Sequence, residues 1–132
     1  DLHSFPTRRS SDLHIGLDTH EVLLPTPPGG STWLPHIFFG VIDNGLSDNV
    51  RINRKAAAVV GSTATNTPHI PTPPGIAFVN TPKNKATIAE GSGSVRINSK
   101  AAARGSDEAT TCNDPSDERK GMIVALGNVF IG

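Results

Sequence analysis

Apolar and polar residues alternate in short stretches along this chain and do not settle into a helical period. The clearest stretch is Val50-Arg51-Ile52-Asn53-Arg54-Lys55-Ala56-Ala57-Ala58. Its two β-branched residues stand two apart and face one side, while Arg51 and Asn53 face the other. An Asn-led polar turn follows, then a run of alanines that stops at Gly61. Three alanines favour helix by propensity, but a run of about one turn between turn signals is too short to nucleate one. The stretch therefore predicts a β-hairpin. It occurs twice: Val95-Arg96-Ile97-Asn98-Ser99-Lys100-Ala101-Ala102-Ala103 differs at one position, Ser99 for Arg54, and stops at Gly105. So close a match predicts two copies of one unit.

The repetition extends further. Pro25-Thr26-Pro27-Pro28-Gly29 returns as Pro71-Thr72-Pro73-Pro74-Gly75, displaced by nearly the same interval as the hairpins. A period of this size predicts a stacked or pseudosymmetric architecture. Asn128-Val129-Phe130-Ile131-Gly132 is a third, shorter echo of Asn49 to Asn53, and Ala77-Phe78-Val79-Asn80 reads as a further strand. Prolines and glycines cluster in turns. The expectation is an all-β, repeat-built domain with essentially no helix.

Residues 1–13, Asp-Leu-His-Ser-Phe-Pro-Thr-Arg-Arg-Ser-Ser-Asp-Leu, resemble the translation of a short-read sequencing adapter, and are set aside from fold reasoning as a non-native tail. They are expected to pack against nothing, with Phe5 unburied. Residues 14–132 are expected to form a single domain. The chain holds 12 basic and 12 acidic residues, and removing the tail leaves the balance at zero. A neutral chain has no general electrostatic attraction for nucleic acid or an anionic membrane. No apolar run is long enough to span a bilayer, and no signal peptide is visible. Bulky apolar residues are scarce: one Trp, five Phe and no Tyr. The densest apolar cluster, Trp33, Leu34, Phe38 and Phe39, is expected to form core near the base of the domain. So small a core calls for an additional staple.

The single cysteine cannot form a disulfide within the chain, but it can ligate a metal. With His3 in the leading segment and His14 next to it, three histidines and one cysteine remain: His20, His36, His69 and Cys112. Four nitrogen and sulfur donors suit a closed tetrahedral zinc site, although their long, irregular spacing is unlike that of a zinc finger. The repeat adds weight. His69 follows Gly61, and Cys112 follows Gly105, at nearly equal intervals, and His20 and His69 both precede a Pro-Thr-Pro-Pro-Gly turn.

Val95 to Gly105 and the closing Asn-Val-Phe-Ile-Gly resemble PAAR-repeat proteins, and the resemblance runs from about Asp18 to Gly132. The family hallmark is Pro-Ala-Ala-Arg after an Asn-Gly-Lys turn. Here Ala101-Ala102-Ala103-Arg104 stands in its place, with Ala for Pro and Ser99 for the turn Gly; in the first copy Arg54 replaces that Gly and Val59 the Arg. A turn that needs positive φ should lose stability without its glycine. The resemblance implies a small cone of β-hairpins with approximate three-fold symmetry, its apex stapled by one structural zinc on three His and one Cys, carried over as His20, His36, His69 and Cys112.

The function this implies is a non-catalytic spike tip. It would cap the trimeric valine-glycine-repeat (VgrG-type) spike of a type VI secretion system or phage-tail-like particle, contact the target membrane transiently and help deliver toxin or effector cargo. It would be made in the cytoplasm and exported with the particle, one monomer on a trimer. Two other classes compete: a β-repeat binding module unrelated to injection, and a zinc hydrolase with an open coordination position and a general base.

Overall fold

The computed structural model describes residues 12–124 and 129–131, and the backbone of residues 5–6. The strands run in chain order as β1 (Phe5–Pro6), β2 (Leu13–Leu23), β3 (Ser31–Asn44), β4 (Arg51–Ile52), β5 (Lys55–Ala56), β6 (Thr63–Asn66) and β7 (Ala77–Phe78), followed by β8 (Lys85–Ile88), β9 (Arg96–Ile97), β10 (Lys100–Ala101), β11 (Glu108–Thr111), β12 (Glu118–Val124) and β13 (Phe130–Ile131). No helix occurs among the described residues.

Six strands pair in the order β12, β11, β8, β6, β3, β2, and β12 pairs again with β2, so the sheet closes on itself as an antiparallel barrel. Closure removes the free edges that a sheet of this size would otherwise expose. At the seam the strands approach closely: a Cβ on Gly16 would lie 2.8 Å from the Lys120 carbonyl oxygen. The longest ladder joins β2 to β3, from Leu13↔Val41 to Leu23↔Ser31, and β7 adds to its far end through Val22↔Phe78 and Leu23↔Ala77.

The expected repeats are present as structure. β3 leads into the ribbon β4–β5, β8 into β9–β10, and β12 into β13, which pairs with β1. Each returning strand feeds the next barrel strand, and one hydrogen bond marks the equivalence. The carbonyls of Asp12, Ser62 and Asp107 accept from the backbone N–H groups of Ile42 (2.9 Å), Ile88 (2.9 Å) and Ile123 (3.3 Å) respectively. All three isoleucines are buried. Three copies of this contact, on strands related around the barrel, are the pseudo-three-fold cone that the resemblance implied. Of the third sequence echo, Phe130–Ile131 forms β13, while Asn128 and Gly132 lie outside the described residues.

The leading segment departs from expectation. Phe5–Pro6 pairs with Phe130–Ile131, Asp12 accepts the Ile42 N–H, and Leu13 opens β2. Strand pairing uses main-chain groups, so a segment of suitable length can complete the third ribbon whatever its side chains. The side chain of Phe5 lies outside the described residues.

Two clusters fill the molecule. Phe38, Ile42, Ile88, Ile123, Cys112 and a set of alanines pack inside the barrel. Ile52, Ala57, Val59, Ile97 and Ala102 pack between the ribbons, against Ile131. Ala57, Ala58, Ala102 and Ala103 are fully buried; they allow the ribbons to meet backbone to backbone, with Ala103 N–H donating to Ala58 O (3.1 Å). The expected aromatic core is only partly realised. Phe38 is buried and Leu34 half-buried, but Trp33 and Phe39 are about half exposed. All four lie on β3, whose alternation sends even positions inward and odd positions outward. Trp33 and Leu34 also pair with Glu21 and His20, at the end of the ladder away from the ribbons.

Both hairpin turns need positive φ at two consecutive residues: Asn53 (50°) and Arg54 (70°), then Asn98 (52°) and Ser99 (68°). Asn tolerates this region; Arg and Ser are strained there. Ser99→Gly is therefore expected to stabilise the protein by roughly 1 kcal/mol, read as a shift in urea midpoint at constant slope. No shift, or a lower midpoint, would contradict the strain argument.

Candidate metal centre

The barrel end opposite the ribbons collects polar side chains from all three repeats. β2 supplies Asp18 and His20, two residues apart and so on the same inward face. β3 supplies His36, directly opposite Asp18 in the ladder. The segment leaving β6 brings His69, and the residue after β11 is Cys112. Asp18, His20, His36 and Cys112 are each no more than 3% exposed, and the His69 side chain is 4% exposed.

Donor atoms of Asp18, His20, His69 and Cys112 all lie within 4.8 Å of one another. His69 Nε2 is 2.9 Å from Asp18 Oδ2. The Cys112 thiol donates to the same oxygen at 3.3 Å, with Cys112 Sγ 3.7 Å from His20 Nε2. Asp18 Oδ1 is buried with no hydrogen-bond partner. His36 completes the aromatic packing: its ring centroid is 5.4 Å from that of His20 and 5.5 Å from that of His69. Its two nitrogens are engaged elsewhere. Nδ1 donates to the Leu34 carbonyl (2.9 Å), which leaves Nε2 to accept the Thr72 N–H (3.1 Å). Phe78, carried by β7, covers His20 and His36 with ring centroids 5.7 Å and 5.2 Å away.

Long-range hydrogen bonds hold the donors in place. Asn113 Oδ1 accepts the Thr19 N–H (2.7 Å), Asp114 Oδ2 accepts the Glu21 N–H (2.9 Å), and Asp114 N–H donates to Thr19 O (2.9 Å). Together they clamp the Cys112 loop onto β2. Asp114 Oδ2 also faces His20 Nδ1 at 3.5 Å, an arrangement that orients the ring with Nε2 towards the cluster. His69 is placed by its own N–H donating to Asn84 Oδ1 (2.9 Å).

Burial sets the protonation states. Desolvation lowers the pKa of His20 against the opposing pull of Asp114, and desolvation likewise lowers that of His36. Both rings are held in the neutral form that a metal requires. Desolvation, with Asp18 adding to it, pushes the Cys112 thiol up to about 12. A thiol alone in this pocket keeps its proton; a bound divalent cation would reverse that preference. The nitrogen, sulfur and oxygen donors, the orphaned Asp18 oxygen and the neutral His20 imidazole together fit a metal ion.

Three sequence-derived donors, His20, His69 and Cys112, are thus brought together. His36 packs beside them as a neighbouring ring, and Asp18 joins the cluster. Asp18 was missed, and its signal was available: an acid two residues from a candidate ligand, on the same face of an alternating strand. His14, set aside in the sequence, lies fully buried inside the barrel opposite Gly40 and Ile123 and outside this cluster.

A family model for the PAAR motif matches residues 39–116, more than half of the chain. The chain belongs to the PAAR-motif family. The match contains the ribbons β4–β5 and β9–β10, with His69 and Cys112, while Asp18, His20 and His36 precede it. No curated protein and no solved structure matches the chain. PAAR proteins are structural components associated with the spike tips of contractile injection systems, and no helix among the described residues is long and apolar enough to cross a membrane.

Asp114→Ala removes an acceptor from the Glu21 N–H and the carboxylate facing His20. We expect it to cost about 1–3 kcal/mol of stability, measured by chemical denaturation. An effect below a few tenths would mean that the clamp is not what holds Cys112 against β2.

Proposed function

We propose that this PAAR protein is a metal-stapled tip that caps a trimeric VgrG-type spike and helps carry effectors through a target envelope. The observation behind this reading is the meeting of donors from all three repeats at one end of a closed barrel. A tapering end has little room for apolar side chains. A metal there can join three strands by bonds far stronger than contacts between small residues, since a structural zinc contributes roughly 10–16 kcal/mol in small peptides. Rigidity at a point that must pass a barrier under load follows from such a staple. One copy would sit on a three-fold partner, with the ribbon end towards the spike and the metal end leading, and the protein would leave the cytoplasm as part of the particle. The foreign origin of residues 1–13 belongs to the same proposal.

Zinc is the ion that this soft and borderline donor set favours. His20, His69 and Cys112 would hold it, with a fourth donor from Asp18 or from His36, the member of the set implied by the family resemblance. Charge favours Asp18: a carboxylate and a thiolate together neutralise a divalent cation, and a buried site of zero net charge avoids much of the desolvation penalty. His36 would first have to release the Thr72 N–H.

Elemental analysis is expected to find one zinc per chain. Cys112→Ala should lose it, with a fall in melting temperature of roughly 10 °C. Cobalt substitution separates the fourth donors. Asp18→Asn should alter the visible cobalt bands and weaken binding while His36→Ala leaves the bands in place; the opposite pattern would return the fourth position to His36. A stable, metal-free wild type would remove the staple. For the partner, one chain per spike trimer is expected by light scattering of the complex, and no complex with any cognate trimer would sink the capping role.

A further inference from the structure

Two members of the polar cluster stand outside regular strand. Asp18 and His20 are fixed by the β2–β3 ladder. His69 lies beyond the end of β6, and Cys112 follows the last residue of β11, so neither sits in a ladder. Both leave strands that flank β8: β6 pairs with it as far as Thr65↔Lys85, and β11 as far as Thr111↔Ala86. The residue just ahead of β8 therefore stands between the two departing segments. That residue is Asn84.

Every polar group of Asn84 is engaged. Its carbonyl accepts the Asn66 N–H (2.8 Å), which closes the end of β6. Asn66 in turn brings its Nδ2 within 3.3 Å of His69 Nδ1 and accepts the Phe39 N–H through Oδ1 (2.8 Å). The side-chain Oδ1 of Asn84 accepts the His69 N–H (2.9 Å), and its Nδ2 donates to the Pro82 carbonyl (3.2 Å), which settles which way the amide faces. Its own N–H, with that of Lys85, is directed at the Cys112 sulfur. Burial pushes the Cys112 thiol up to about 12, with Asp18 adding to it, and these two N–H groups oppose the rise. A donor aimed at sulfur favours the thiolate, the form that binds a metal. The backbone here adopts φ 57°, a region that Asn tolerates and most residues avoid.

We propose that Asn84 is a positioning residue of the candidate metal cluster: its side chain holds the His69 segment and its backbone holds the Cys112 sulfur, so that donors from two repeats meet, while Asn84 supplies no donor atom itself. The inference rests on the metal-staple reading and adds to it a residue that acts only through its neighbours. Groups that orient metal ligands in this way matter for affinity well beyond their share of the fold. One residue that sets two ligand positions should show this strongly.

The test compares Asn84 with Asn98. The two are matched in residue type and in positive φ (52° at Asn98), and Asn98 also makes side-chain hydrogen bonds, to Ser47 and Asn49, but at the ribbon end. Zinc affinity of the full chain is measured by competition with a chromogenic chelator, and the cobalt-loaded protein is followed by its absorption bands. Asn84→Gly keeps the turn and its N–H and removes only the side chain. It is expected to weaken zinc binding roughly 10–100-fold and to shift the cobalt d–d bands. Asn84→Asp returns an acceptor to the His69 N–H and should recover most of that affinity. Asn84→Ala strains the turn as well; it should also move the sulfur-to-cobalt charge-transfer band, which Asn84→Gly leaves in place. Asn98→Gly and Asn98→Ala are expected to leave zinc affinity and the cobalt bands unchanged, including where the melting temperature falls. A loss of affinity that Asn98→Gly reproduces overturns the proposal, because the effect would then be one of general stability. A wild type that binds no metal overturns the staple and this inference together, whereas Asn84→Gly binding zinc as tightly as a zinc-binding wild type overturns this inference alone.

Discussion

Closure of the six-strand sheet is the constraint on which everything else depends. Once β12 pairs with β2, every barrel residue faces either a narrow interior or the outside, and strand alternation decides which. The interior is too small for an ordinary core. It is filled by one residue of size per repeat, Ile42, Ile88 and Ile123, with Phe38 and His14 accommodated by glycines and alanines around them. Gly40 shows how tight the fit is: a Cβ there would come 2.7 Å from the Phe38 ring. The same narrowness makes the alanine runs of the ribbons useful, because small side chains let backbones meet where larger ones would hold them apart.

The polar end follows from the same geometry. Each of three antiparallel excursions must turn back at the barrel end, and the residues just before or after the turn point towards the axis. Asp18 and His20, His69, and Cys112 occupy such places, one set per repeat. Without a cation, the Asp18 carboxylate stands buried beside the His20 imidazole and the Cys112 thiol, which burial keeps neutral, with one oxygen unpaired. Such a cluster is costly by itself. Its polar groups are in one another's reach because the three turns converge, and they become mutually satisfying when a positive charge lies between them.

Much of this was legible in the sequence. The duplicated hairpins, the strand at Ala77, the third echo at Phe130–Ile131 and three members of the polar cluster follow from period and repetition, which are local properties. What stayed hidden depended on pairing at a distance. Phe5–Pro6 completes the third ribbon through main-chain bonds to Phe130–Ile131, which no side-chain pattern announces. Trp33 and Phe39 looked like core because they are large, whereas their odd positions on β3 put them outside. Composition ranked His36 with the other histidines; its hydrogen bonds to the Leu34 carbonyl and the Thr72 N–H set it apart. Asp18 was passed over because an acid beside a strand apolar position reads as surface until the strand is known to be buried on that face.

The β2–β3 ladder carries both of the molecule's distinctive surfaces at once. Inward it presents Asp18, His20 and His36; outward it presents Ile15, Leu17, Ile37 and Phe39. A slip of one residue in either strand would exchange the two sets, exposing the polar cluster and burying the apolar stripe. Length guards against this, since the ladder runs without a break from Leu13↔Val41 to Leu23↔Ser31. The ends add independent locks. The Cys112–Asp114 loop bonds to Thr19 and Glu21, and Thr72 bonds to His36 and to the Pro35 carbonyl. Each lock is satisfied in one register only, because a slipped strand would turn the bonded N–H and C=O groups away from it. Register at this ladder is therefore what ties the candidate metal cluster to the outer face.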